Sequence, residues 1–159
     1  MRQYTYITVF VATVLVALFG IVLLGPADNF LAKRAAANVV VDFGQELQNV
    51  SLHADPDVVR EGIREHYAPY VTENLLETWL DTPNRAPGRL TSSPWPARIE
   101  VRSATRQGSG YIVQGNVVLM TSAEVEHGGN AGLVPFIMQV TKEGGKWKIV
   151  AYEEPQTTR

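Results

Sequence analysis

Residues 136–153 read FIMQVTKEGGKWKIVAYE, two runs that alternate apolar and polar residues on either side of Gly144-Gly145. A two-residue glycine loop between period-two runs makes a β-hairpin, because glycine alone takes up the positive φ of the tight turn without steric cost. The loop also sets the register. Val140 is expected opposite Ile149 and Met138 opposite Ala151, which puts these residues and Phe136 on one apolar face.

The same period recurs upstream. In 98–106, Ile99 and Val101 alternate with Arg98, Glu100, Arg102 and Arg106. In 111–125, Tyr111, Val113, Val117, Leu119 and Val125 alternate with Gln114, Asn116, Ser122 and Glu124, a second and longer strand in which Gly115 permits a bend. The glycine-rich run from His127 through Gly132 joins two strands and opens no helix, so it reads as a hairpin loop and not as a phosphate cradle. Before residue 82 the period is helical. Ala36, Val39, Val40, Phe43, Leu47 and Val50 recur at steps of three and four. Asp55-Pro56 caps a second helix with Val59, Ile63 and Tyr67 on one stripe; Pro69 ends it, and Thr72 caps a third with Leu75, Leu76, Trp79 and Leu80. Helices followed by an antiparallel meander predict an α+β domain, three helices packed on a curved four-stranded antiparallel sheet.

The amino-terminal end has another character. No charged residue occurs from 3 to 27, and 7–24 reads ITVFVATVLVALFGIVLL, 18 residues, the length a helix needs to cross about 30 Å of hydrocarbon. Tyr4 and Tyr6 add interfacial aromatics. This core exceeds the roughly 7 to 15 apolar residues of a signal peptide, which favours an uncleaved transmembrane anchor. Gly25-Pro26-Ala27 keeps a cleaved signal as the alternative. Arg2 before the span, with Lys33 and Arg34 after it, tilts the charge count towards an inside domain. A short tail, one span and a large domain nevertheless form the layout of a signal anchor. The expectation is a single-pass cell-membrane protein with its C-terminal domain extracytoplasmic, divided into tail and anchor 1–27, juxtamembrane helix and linker 28–54, and α+β domain 55–159.

Composition narrows the classes. The chain has 159 residues, 45% hydrophobic and 19% charged, with 14 basic and 16 acidic residues for a net charge of -2. This excludes a disordered tail, a collagen-like repeat and a basic nucleic-acid arm. With no cysteine, disulfide scaffolds, thiolate zinc sites, cysteine nucleophiles and lipoprotein anchors are excluded. Residues 28–159 hold 13 basic and 16 acidic residues, a net of -3, so no nucleic-acid partner is expected.

The order of elements, the helical IREHYAPYVTENLLETWL at 63–80 and the closing GGKWKIVAYEE at 144–154 resemble the nuclear transport factor 2-like superfamily. This is the cone-shaped, cystatin-like α+β fold shared with ketosteroid isomerase, and the resemblance covers 55–154. It implies a platform with a pocket between helices and sheet. Members serve as small-molecule enzymes, as transport factors and, tethered by one membrane helix, as assembly subunits of envelope machines such as conjugation systems. The short strand usual among that superfamily's helices is not visible in this sequence.

Several residues are candidates for binding. The connection 82–97, TPNRAPGRLTSSPWPA, holds Pro83, Pro87, Pro94 and Pro96, and reads either as a stiff docking loop presenting Trp95 or as a connection whose Trp95 plugs the wide end of the cone. Between residues 85 and 106 stand Arg85, Arg89, Arg98, Arg102 and Arg106 against Glu100 alone, a local net of +4. By the period-two rule Arg98, Arg102 and Arg106 share one strand face, either as a stripe for an acidic protein or other anionic surface, or as an ordinary solvated face. His53, His66 and His127 have no metal-ligand spacing. His66 beside Tyr67 and Glu65 suggests acid-base work only in an isomerase-like pocket. No nucleophile motif, metal spacing or cofactor fingerprint is present, so the leading expectation is a binding or scaffold domain that works in protein assembly at the cell envelope, without cofactor. The alternative is a ligand-binding or isomerase-like protein with Tyr67, Tyr70, His66 and Trp95 around the mouth of the cone, which fails if Phe136, Met138, Tyr111 and Trp79 fill the interior. Met120, Val118 and Ile112 make the other face of the second strand apolar as well, a surface for a partner or a homodimer.

Overall fold

A computed structural model describes residues 29–155. The expected membrane segment, 7–24, lies outside them. Among the described residues no helix is long and apolar enough to cross a membrane. The chain divides between Arg34 and Ala35 into two units. Residues 29–34, the described part of the first, are helical and expose Phe30 and Leu31.

The second unit opens with α1, helical over 35–46, and a 3-10 turn at Leu47–Asn49. Ala36, Val40, Phe43, Leu47 and Val50 are all buried, their steps of four and three keeping them on one face. The compact unit begins at Ala35, within the stretch 28–54 that the sequence reading gives to a juxtamembrane helix and linker, and this apolar stripe packs into its core. Helix α2, Pro56–Tyr67, starts where the Asp55 carboxylate accepts from the Asp57 amide (3.0 Å), and it buries Val59, Ile63 and Tyr67. Helix α3, Glu73–Asp81, buries Leu76 and Trp79. The Thr72 side chain makes no capping bond, but its amide donates to the Ile149 carbonyl (2.9 Å), and the Ile149 amide donates to the Tyr70 carbonyl (2.9 Å). Val71 and Ile149 form a parallel bridge, a strand-like contact among the helices that the sequence does not reveal.

Strands β1, Trp95–Gln107, β2, Gly110–Met120, β3, Gly132–Glu143, and β4, Lys146–Glu153, form one antiparallel sheet in chain order. The expected three helices and four strands are present. Gly144 (φ 58°) and Gly145 (φ 81°) make the last turn, and Val140 stands opposite Ile149 as expected. A bulge then places Met138 opposite Tyr152 instead of Ala151, because Val150 is an extra residue in β4.

A second correction concerns the end of β2. The strand stops at Met120, and Ser122–His127 is a short helix, α4. Thr121 caps it by accepting from the Ala123 amide (3.2 Å). The Glu124 carboxylate reaches back to the Thr121 amide (2.8 Å) and hydroxyl, completing a capping box. Val125 is therefore an exposed helical residue and not part of a strand.

The core lies between the helices and one face of the sheet, where Ile99, Tyr111, Val113, Val117, Phe136, Met138, Val140 and Ile149 are buried. Aromatic rings join the two layers. Phe43 meets Tyr67 edge-on at 4.9 Å between centroids and stacks on Trp79 at 6.1 Å, and Trp79 meets Tyr152 at 6.3 Å. Such pairs add about 0.5–1.5 kcal/mol each beyond the area they bury.

Candidate functional site

The proline-rich connection is ordered by its bonds. Pro83–Arg85 is a 3-10 turn whose end is closed by the Ala86 amide on the Pro83 carbonyl (3.1 Å). The Arg89 amide then donates to the Val50 carbonyl (2.8 Å) and the Leu52 amide to the Arg89 carbonyl (3.0 Å), so this stretch runs as a bridge beside Ser51. From within, the buried Tyr67 hydroxyl donates to the Pro87 carbonyl (2.6 Å). The Thr91 hydroxyl donates to the Pro94 carbonyl (2.9 Å) across the Ser93–Pro94 cis peptide.

Held in this way, the connection up to Pro94 and the start of β1 at Pro96 enclose with the sheet a cavity of about 340 Å³. Its walls are Leu47 from the 3-10 turn, Pro87, Leu90, Pro94 and Pro96 from the connection, and Val117, Leu119 and Val134 from β2 and β3. Three polar side chains reach it: Thr91, Tyr152 and Glu154. The Tyr152 hydroxyl donates to a Glu154 oxygen at 2.5 Å. Burial pushes the Tyr152 hydroxyl well above the ordinary tyrosine range, and the Glu154 bond adds to this. Tyr67 is raised by burial in the same way, with the Glu46 carboxylate second. A mostly apolar cavity with a few polar groups is suited to holding an apolar body with one polar end.

Tyr67, Tyr70 and His66, expected around the mouth of the cone, do not line this cavity. Phe136, Met138, Tyr111 and Trp79 are all buried in the core, which speaks against a pocket with that mouth. Tyr67 is behind the cavity wall, bonded to Pro87. Tyr70 packs edge-on against Phe43 (6.2 Å), and burial, then Glu46 and Asp42, raise its hydroxyl. His66 joins α2 to α1 through its Nδ1, 2.8 Å from Glu46, to which Asn49 also donates at 2.9 Å. Trp95 departs from the reading in which it plugs the wide end of the cone. It opens β1 opposite Met120, half-buried on the sheet face away from the cavity, and its neighbours Pro94 and Pro96 line the cavity instead.

The arginine stripe is also corrected. Arg102 is an extra residue between Val101, opposite Gly115, and Ser103, opposite Gln114. One inserted residue reverses the alternation, so Arg98 falls opposite Val118 while Arg106 falls opposite Tyr111, on the other face. Arg98 gives Nε (3.1 Å) and Nη2 (2.6 Å) to one oxygen of Glu100. Arg102 serves the buried Asn116: with the amide oxygen facing the guanidinium, it accepts from Nε (3.3 Å) and Nη2 (2.6 Å). Arg106 Nε donates to the Gly108 carbonyl (3.4 Å), and Arg89 is half-buried in the bridge beside Ser51.

No family model matches the chain, and no curated protein matches it. Among solved structures it is similar to the type VI native effector–immunity complex Tae3-Tai3 from Ralstonia pickettii, with 14% identity, 57% of this chain and 74% of that chain covered, and a TM-score of 0.37. It is also similar to a five-fold substituted variant of Rd1NTF2_05, with 18% identity, coverage of 79% and 97%, and a TM-score of 0.38.

Leu90, Thr91, Tyr152 and Glu154 were not among the residues singled out from sequence. The signal for the first two is the length of the 82–97 connection, which is more than a compact domain leaves idle. For the last two it is the YEE at 152–154, a tyrosine at the end of a strand pattern and a carboxylate two positions on, which the period of two puts on one side.

Proposed function

We propose that this chain is a binding domain whose ligand occupies the cavity between the proline-rich connection and the sheet, tethered outside the cytoplasm by the apolar segment 7–24. The observation that carries the reading is a cavity of about 340 Å³ whose walls are held by the chain's own Tyr67–Pro87, Arg89–Val50 and Thr91–Pro94 bonds. A site built beforehand loses little entropy on binding. The order of helices and meander, which the nuclear transport factor 2-like resemblance implies, supports a receptor of this kind. Among the described residues no pairing of a nucleophile with a base lies around the cavity, which favours binding over catalysis.

The test is native mass spectrometry after incubation with a metabolite and lipid extract. An adduct on the full chain that is lost when Leu119→Trp fills the cavity is the expected result. No adduct, or one that persists in the variant, would overturn the reading. The tether is tested separately with a cysteine introduced at the exposed Ser109, in the turn between β1 and β2. Labelling of intact cells is expected, and labelling only after lysis would place the domain inside.

A second reading, assembly with a protein partner or a second copy, is favoured by the outer sheet face. There Leu133 is 46% exposed and sits opposite Val118, next to Arg98. Its test is sedimentation of the chain with and without Leu133→Asp.

A further inference from the structure

The polar side chains around the cavity differ from an ordinary mixture in one respect: their protons are already used. The Thr91 hydroxyl donates to the Pro94 carbonyl at 2.9 Å and the Tyr152 hydroxyl donates to Glu154 at 2.5 Å. A hydroxyl has one proton to give and two lone pairs, and an ionised carboxylate has only lone pairs. Thr91, Tyr152 and Glu154 therefore offer acceptors to whatever enters. Among the described residues, Glu154 is also the one lining residue with a formal charge; the other described lining residues are neutral, with no lysine or arginine among them. Glu154 is exposed at the open end of the cavity, so water partly screens its charge, but it still attracts a complementary charge placed there and repels a like one.

Resting on the reading of this cavity as the ligand site, we infer that the ligand is an apolar body carrying a cationic hydrogen-bond donor, a protonated amine, with the amine at the Tyr152–Glu154 pair and the body against Leu47, Leu90, Val117 and Leu119. A carboxylate-ended ligand such as a fatty acid is disfavoured, because its head would meet acceptors and a negative charge. The volume suits a body of about ten non-hydrogen atoms, taking the roughly 30 Å³ that one water occupies in the liquid as the share of each.

Three rigid probes of one shape test this: 1-adamantylamine, 1-adamantanol and 1-adamantanecarboxylate. Binding is measured by isothermal titration to the full chain in lipid nanodiscs, with empty nanodiscs as the blank. The amine is expected to bind at least ten-fold more tightly than the carboxylate, with the alcohol between. Glu154→Gln should erase most of the gap between amine and carboxylate while leaving the alcohol within about two-fold, which separates lost charge from lost folding. Leu119→Trp should abolish binding of all three.

Equal affinity for amine and carboxylate, with both lost in Leu119→Trp, would overturn the cation preference and leave the cavity as a ligand site. A preference for the amine that survives Glu154→Gln would overturn the assignment to Glu154. Failure of all three probes to bind, or binding that persists in Leu119→Trp, would overturn the cavity reading and this inference with it.

Discussion

Two glycines inside helices of this domain should respond to the same substitution with opposite signs. In α1, a Cβ added at Gly44 would stand 2.7 Å from the Ile99 Cβ and 2.8 Å from the Ile99 backbone nitrogen. Carbon atoms settle at about 3.5–4.0 Å, so α1 and β1 would have to part by about 1 Å. Ile99 is buried and the second clash is with backbone, so no side-chain rotation relieves it. Overpacking costs about 1–3 kcal/mol, a clash with backbone falls in the upper part of that range, about 2–3, and the better helix propensity of alanine returns about 1. Gly44→Ala should therefore lose about 1–2 kcal/mol. In α2, a Cβ at Gly62 would meet only the Val50 methyls, at 3.7 and 3.9 Å, which is ordinary contact. Gly62→Ala should gain about 0.5–1 kcal/mol. At about 4 °C per kcal/mol for a domain of this size, Tm should fall by about 4–8 °C in the first variant and rise by about 2–4 °C in the second. Far-UV circular dichroism melts of the two variants beside the parent would decide it. Because propensity is the same in both, a Gly44→Ala protein as stable as the parent would refute the close approach of α1 to β1.

The buried hydroxyls of Tyr67 and Tyr152 have pKa values raised above the ordinary 10.0. The folded form keeps protons that the unfolded chain gives up, so this contribution is complete below about pH 10 and is lost as pH rises further. In an alkaline titration, phenolate absorbance from these two should appear only with loss of the far-UV signal; full ionisation of all six tyrosines before unfolding would contradict their burial. Arg102→Gln should destabilise by about 1–3 kcal/mol, since it takes a charged partner from the buried Asn116, whereas Arg98→Gln at an exposed pair should cost about 0–1. Urea melts giving equal losses would refute the distinction. Glu124 has a pKa held below 4.5 mainly by the Thr121 hydroxyl, so its contribution is present above that value and fades as pH falls through the lowered one. Thr121→Ala should remove this acid dependence and speed amide exchange over 122–127, and unchanged exchange would show that the capping box does not hold α4.

Features encoded by short-range spacing were legible in the sequence. The stripes of α1 and α2, the Asp55-Pro56 start and the Gly144-Gly145 turn follow from residues within one or two turns of each other. What failed was parity over longer runs. Nothing in the stretch around Arg102 or Val150 announces an extra residue, because a bulge is chosen by how two strands fit and not by either alone, yet it moves every later side chain to the other face. Helix α4 was readable in principle from Thr121 and Glu124 three positions apart, but alternation of Ser122 and Glu124 with Val125 imitated a strand. The cavity was out of reach for a different reason. Leu47, Leu90, Val117, Val134 and Tyr152 are tens of residues apart and meet only once the sheet is formed.

The bulges of β1 also bear on how the protein behaves when crowded. As the first strand of the sheet, β1 has one side that could template a neighbouring chain, and at 13 residues it is long for such an exposed margin. Extra residues at Ala97 and Arg102 break it into regular stretches of four and five residues, 98–101 and 103–107. Each is too short and too twisted to zip against an identical copy, and the arginines along it would repel their counterparts. The opposite margin, β4, is guarded by another device, since the Ile149 amide and carbonyl are already bonded to Tyr70 and Thr72. Restoring a straight β1 by deleting Arg102 should thus do more than misplace Arg106: it should create an adhesive margin and turn the domain towards fibrous association.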